Sequence, residues 1–193
     1  MVRTWNILVE LLWPSTHVPN INQNPVTVSV YKNILYLFPY QEPDIKALIK
    51  QTKYQADRQT AKQLAGYLDS YLNTLETDFQ IIPIPVSYKR WRTRGYNHIE
   101  LICKYSQHAQ QVRSDILKKS RHTTQQTQVT RIKRTQQQLG TYSCNRQACH
   151  TLPECVILLD DVTTTGATMA AAKAALLPHL PPQTKLRCVA IAH

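Results

Sequence analysis

The stretch ILLDDVTTTGATMAAAKAAL, residues 157–176, decides how this chain folds. With Cys155 and Val156 ahead of it, CVILLD (155–160) is a continuous apolar run of strand length between Pro153 and a turn. That pattern suits a strand buried on both faces of a parallel sheet. Residues 163–166 are small hydroxyl residues and a glycine, and residues 167–177 read as an alanine-rich helix. A strand that hands over to a helix in this way sets the turn at the carboxyl edge of the sheet, where open α/β folds bind ligands. Gly166 lets the backbone approach a ligand and take positive φ. The N–H groups of the turn and helix start form an anion site, and the hydroxyls of Thr164, Thr165 and Thr168 add donors. Asp160 and Asp161 are acceptors beside that site, at the distance of a sugar ring from a terminal phosphate. One aspartate would cap the helix; two adjacent carboxylates repel each other unless a ligand or metal uses them.

Working outward, residues 26–38 (VTVSVYKNILYLF) alternate in the manner of two strands, and Pro39 and Pro43 bracket a break. From Asp44 the apolar residues Ile45, Leu48 and Ile49, then Leu64, Leu68, Tyr71, Leu72 and Leu75, keep helical spacing, with a polar split at 53–58. Residues 79–85 predict a short buried strand stopped by prolines, 96–113 a helix, and 185–192 a last strand. Residues 114–140 carry no apolar period and read as a mobile loop or exposed helix. Strands alternating with helices predict an α/β domain around a parallel sheet.

Charge is the strongest compositional signal: 23 Lys and Arg against 12 Asp and Glu give a formal net charge of +11. Such an excess favours a polyanionic partner, nucleic acid or a phosphorylated small molecule. No apolar run approaches a membrane span, so no membrane insertion is expected. Ile7 to Trp13 makes a poor signal peptide, so the expected location is cytoplasmic. The five cysteines read as reduced thiols. Cys144, Cys149 and His150 make a C-x4-C-H cluster without a second half, so no metal site is assigned.

Residues 160–168 (DDVTTTGAT) resemble the phosphoribosyl-pyrophosphate (PRPP) motif of type I phosphoribosyltransferases along their whole length. Residues 81–102 (IIPIPVSYKRWRTRGYNHIELI) are similar to the signature of the competence-protein ComF family, through Pro83, Pro85, Arg94, Gly95, Tyr96 and Asn97. The pair Lys53-Tyr54 also matches. Residues 118–142 resemble the family's flexible hood through Thr123, Gln126, Arg134, Gly140 and Tyr142, with Lys119 in place of the usual Arg and Gln137 in place of Asn. The likeness covers roughly residues 38–193. It implies a type I phosphoribosyltransferase-like domain over 38–193 with a hood around 114–142, preceded by an N-terminal segment, 1–37. That segment is a degenerate zinc ribbon without metal, since His17 and Asn20 stand where cysteines are expected.

By the same resemblance, PRPP with Mg2+ is held by Asp160, Asp161, Thr163, Thr164, Thr165, Gly166, Ala167, Thr168 and Arg94. Asp160 and Asp161 contact the ribose hydroxyls and are the catalytic pair; Arg94 meets the pyrophosphate. The family's link to natural transformation implies single-stranded DNA as a partner, along with other competence proteins such as an uptake helicase. Lys89, Arg90 and Arg92 around the stacking face of Trp91, with Lys118, Lys119, Arg121, Arg131, Lys133 and Arg134, suit such a strand. Phosphoribosyl transfer to an acceptor not legible in the sequence is the first expectation. A single-stranded-DNA-binding or PRPP-sensing protein without turnover is the alternative.

Overall fold

The computed structural model describes residues 26, 28–120 and 141–193. Along the chain run β1 (Ser29–Tyr31), β2 (Ile34–Phe38), α1 (Pro43–Gln55), α2 (Arg58–Leu72), β3 (Phe79–Pro83), α3 (Tyr88–Arg94), α4 (His98–Tyr105), β4 (Leu117–Lys119), β5 (Tyr142–Cys144), α5 (Arg146–Cys149), β6 (Cys155–Val162), α6 (Ala167–Leu176) and β7 (Lys185–Ala192). The main sheet has the order β1-β2-β7-β6-β3. β1 and β2 are antiparallel, joined through Lys32 and Asn33 at positive φ. All other neighbours in this sheet are parallel. The expected α/β architecture, a mostly parallel sheet flanked by helices, is present.

Side-chain alternation along β6 divides the core. Cys155, Ile157 and Leu159 join one buried cluster with Leu48 of α1, Leu64 and Leu68 of α2 and Ile102 of α4. Val156 and Leu158 join another with Met169 and Ala172 of α6, Leu117 of β4 and Tyr142 of β5. A strand with apolar side chains on both faces must be covered on both, and α1, α2 and α4 cover one face while α6 and the β4–β5 ladder cover the other. Asp57 caps α2, its Oδ2 accepting from the Thr60 N–H at 2.9 Å. Among the described residues no helix is long and apolar enough to cross a membrane.

Four expectations change. The helix foreseen over 96–113 stops at Tyr105. Asp69, buried on α2, accepts a short hydrogen bond from the Ser106 hydroxyl and another, of 3.0 Å, from the Gln107 N–H, drawing the chain out of the helix. The basic loop at 89–94 is a helix, α3, capped by Ser87 and closed by Gly95 at φ 81°. Part of the 114–140 stretch is core: Ile116 and Leu117 are buried, and β4 pairs with β5. Residues 121–140, which hold most of the expected hood with Arg121, Arg131, Lys133 and Arg134, lie outside the described residues, as does most of the 1–37 segment. The boundary drawn after residue 37 falls within β2, whose pairing with β7 makes it part of the main sheet.

Candidate anion and carboxylate site

The carboxyl end of β6 delivers Asp160 and Asp161, and alternation sends them to opposite faces of the sheet. Asp161 turns toward the α1–α4 face and is buried. Lys53 of α1 makes a close ion pair with its Oδ2, and His98 Nε2 of α4 lies 3.0 Å from the same oxygen. Burial alone would push Asp161 up, but His98 and Lys53 outweigh it and hold the carboxyl far below the ordinary range. Burial lowers the pKa of His98, opposed by Asp161 and reinforced by Lys53 and Arg94. Nδ1 of His98 is buried without a partner, and Nε2 faces Asp161 alone.

Asp160 takes the other face. There it shares its surroundings with Lys119 of β4, Tyr142 of β5 and Arg90 of α3, which feel one another's charge. Burial and then the neighbouring Asp161 raise the Asp160 carboxyl well above its usual value. The same desolvation pushes the Tyr142 hydroxyl up to about 12. Lys119 Nζ lies 3.3 Å from that hydroxyl, donating to it, and 5.0 Å from the ring centroid. Arg90 and Lys119, foreseen as nucleic-acid contacts, are thus also cations beside Asp160.

The loop after β6 is anchored at its first residue. The Thr163 N–H donates to the Ala192 carbonyl at 2.9 Å, and the Thr163 carbonyl accepts from His193 Nδ1 at 2.9 Å. His193 in turn stacks on Tyr31 with ring centroids 4.0 Å apart. The hydroxyl of Thr163 is buried without a partner, whereas Thr164, Thr165 and Thr168 are exposed. Gly166 sits at φ 79° and caps α6 with no side-chain bond. Its first-turn N–H groups therefore keep their donor capacity, apart from a long Ala167 contact to Thr165 Oγ1 of 3.4 Å. A Cβ on Gly166 would meet Ile34 Cδ1 at 3.2 Å. Gly166→Ala is expected to lower unfolding free energy by about 1–2 kcal/mol, the usual cost of a left-handed non-glycine residue. Urea denaturation measures it, and pairing the change with Ile34→Val should recover only the contact part. A single mutant as stable as the parent would refute the requirement for positive φ.

Arg94 is the last residue of α3. Its guanidinium stacks 4.8 Å from the Tyr54 ring centroid on the α1 side, with Nη1 buried and unpartnered. The rest of the RGYN segment does structural work. The Tyr96 hydroxyl donates to the Thr52 carbonyl at 2.7 Å and accepts from the Ala56 N–H at 3.0 Å, closing the end of α1 where Ala56 has φ 53°. Asn97 caps α4 and donates to the Ile84 carbonyl at 3.3 Å.

Lys89, Arg90, Arg92 and Lys118 are exposed and Lys119 is half-buried. Trp91 is 51% exposed. Cys144 and Cys149 are free thiols with sulfurs 2.9 Å apart. No group of three or more potential metal ligands occurs among the described residues. His98 and Tyr142 were missed as site residues from sequence. His98 directly follows the RGYN motif, which was its only signal. The chain matches no family model and no curated protein.

Proposed function

We propose that the chain is a PRPP-binding protein of the phosphoribosyltransferase type, of the ComF-family kind, acting in the handling of incoming single-stranded DNA in natural transformation. One observation carries this reading: at the carboxyl edge of the parallel sheet, β6 carries Asp160 near its end and the chain passes through Gly166 at positive φ into the start of α6, which has no side-chain cap. Thr164, Thr165 and Thr168, with the N–H groups of 164–168, cradle the ribose 5-phosphate. Asp160 accepts hydrogen bonds from the ribose hydroxyls. The buried, partnerless Thr163 hydroxyl and Arg94 Nη1 are donors suited to an anionic ligand. Arg90 and Lys119, next to Asp160, oppose the charge of the pyrophosphate, with Arg94 approaching from the other side.

The residues fit Mg2+ as PRPP's companion, because Asp160 offers carboxylate oxygens that, among the described residues, form no direct ion pair with the cations near them. When bound, the ion neutralises pyrophosphate charge. Asp161, already engaged by Lys53 and His98, acts here by positioning the end of β6. The chain's residues orient the sugar and offset charge, which is the larger part of what such a transfer asks of a protein.

Calorimetry and thermal melting with PRPP and Mg2+ test the reading. A ligand at a hundred times its dissociation constant stabilises the native state by about 2.7 kcal/mol, so a rise of several degrees is expected. Absence of any shift at millimolar PRPP would overturn it. A second reading, a single-strand binder without turnover, is favoured by α3, which presents Lys89, Arg90 and Arg92 around the exposed Trp91.

A further inference from the structure

Between β3 and α4 lies a cavity of about 220 Å³ that the phosphate loop does not use. Two aromatic rings wall it: Tyr88 and Trp91, one turn apart on α3, lie nearly parallel at 13° with centroids 6.4 Å apart. Both are about half exposed, at 50% and 51%. The opposite side carries Glu100 of α4, and Lys119 of β4 closes the end toward Asp160. Asn97 also lines the cavity, but its amide is taken up by Ile99, Ile84 and Glu100. Glu100 Oε1 accepts from Asn97 Nδ2 at 3.3 Å, which fixes the carboxylate. Among the described residues no partner engages Glu100 Oε2.

We propose that this cavity is a nucleobase slot, in which a planar nitrogen heterocycle stacks on the Tyr88–Trp91 wall and donates an amino N–H to Glu100. Three features select this ligand. The space is below that of an ordinary drug-sized pocket and suits a single ring system. An aromatic wall holds a flat ring by stacking. A carboxylate repels a phosphate but accepts from an exocyclic amine, as acidic side chains do from the N4 amine of cytosine. The phosphate of the same nucleotide then faces away from Glu100, toward Lys89, Arg90 and Lys119. Thymine presents one ring N–H between two carbonyl oxygens that the carboxylate repels, so the slot discriminates against it. The ring can come from a free nucleotide or from an unpaired base in a single strand. The inference depends on the single-strand reading only for that second source.

The test uses the full chain without PRPP, at one fixed salt concentration. Labelled oligodeoxycytidine and oligothymidine of equal length are followed by fluorescence anisotropy, with dCMP and dTMP as competitors. Oligodeoxycytidine is expected to bind roughly tenfold more tightly, within the range of one good base contact. Glu100→Gln, which keeps the bond from Asn97, should erase the preference. Trp91→Ala should weaken both oligomers about tenfold or more, and Trp91→Phe should retain most of the binding. Equal binding of the two oligomers, unaffected by Trp91→Ala, would overturn the slot and leave a backbone-only single-strand binder. If neither oligomer binds but dCMP does, and dTMP does not, the slot stands as a nucleotide site and the single-strand reading falls. If nothing binds, both fall.

Discussion

Asp161→Ala is expected to lower stability at neutral pH by about 3 kcal/mol, the lower part of the range for removing one member of a buried ion pair. The aspartate is 6% exposed, and its loss leaves Lys53 and the buried His98 without the carboxylate they share. The Lys53 side chain, 21% exposed, keeps some access to water, which places the cost at that end. In a chain of 193 residues the melting temperature should fall by about 6–12 °C. The pH dependence separates this from a packing defect. Because the folded carboxyl is held below its unfolded value, its contribution is full above pH ~4 and disappears as acid protonates it. The gap between parent and variant should therefore narrow below that pH. A variant within a degree of the parent at pH 7 would show that the Lys53–Asp161–His98 cluster contributes nothing to the fold.

Asp160→Asn should do the reverse: leave the unliganded protein as stable as the parent or more so, and weaken PRPP binding about a hundredfold. Two charge-assisted hydrogen bonds to ribose hydroxyls, at about 1.5 kcal/mol each, give this magnitude. Because burial and Asp161 raise its pKa, the ionised form of Asp160 costs stability, a cost that grows as pH rises and that asparagine removes. PRPP affinity of the parent should rise with pH across the neutral range, as ionising Asp160 becomes easier, while the variant stays flat there. Titration calorimetry at several pH values reads both. Equal affinity of the two proteins would sink the assignment of Asp160 to the sugar.

Why could the sequence foretell β6, its loop and α6, yet not the division of labour between two adjacent aspartates? The apolar run, the glycine and the alanines are local signals, and they suffice for a strand, a turn and a helix. Alternation also foretells that neighbours on a strand face opposite ways. What each side holds is set by residues distant in the chain. Lys53 and His98 come to Asp161 because α1 and α4 pack on the odd-numbered face, and Lys119 and Tyr142 come near Asp160 because β4 and β5 pack on the even-numbered one. The early end of α4 was hidden for the same reason, since the residue that ends it, Asp69, belongs to α2. Tyr96 shows the limit of motif reading: a residue matched as part of a signature holds the end of α1 with its hydroxyl.

The strand order also governs when the molecule can assemble. β2 takes its parallel neighbour from β7, with Ile34 opposite Cys188, and β3 takes its neighbour from β6. During synthesis, α1 and α2 emerge with Leu48, Leu64 and Leu68 ready for burial, but the side chains that cover them include Ile157, Leu159, Val189 and Ile191, made far later. Such long-range closure slows folding and prolongs exposure of apolar surface. A nascent chain halted before β6 holds helices without a sheet to lie on, a species that chaperones and proteases would meet first.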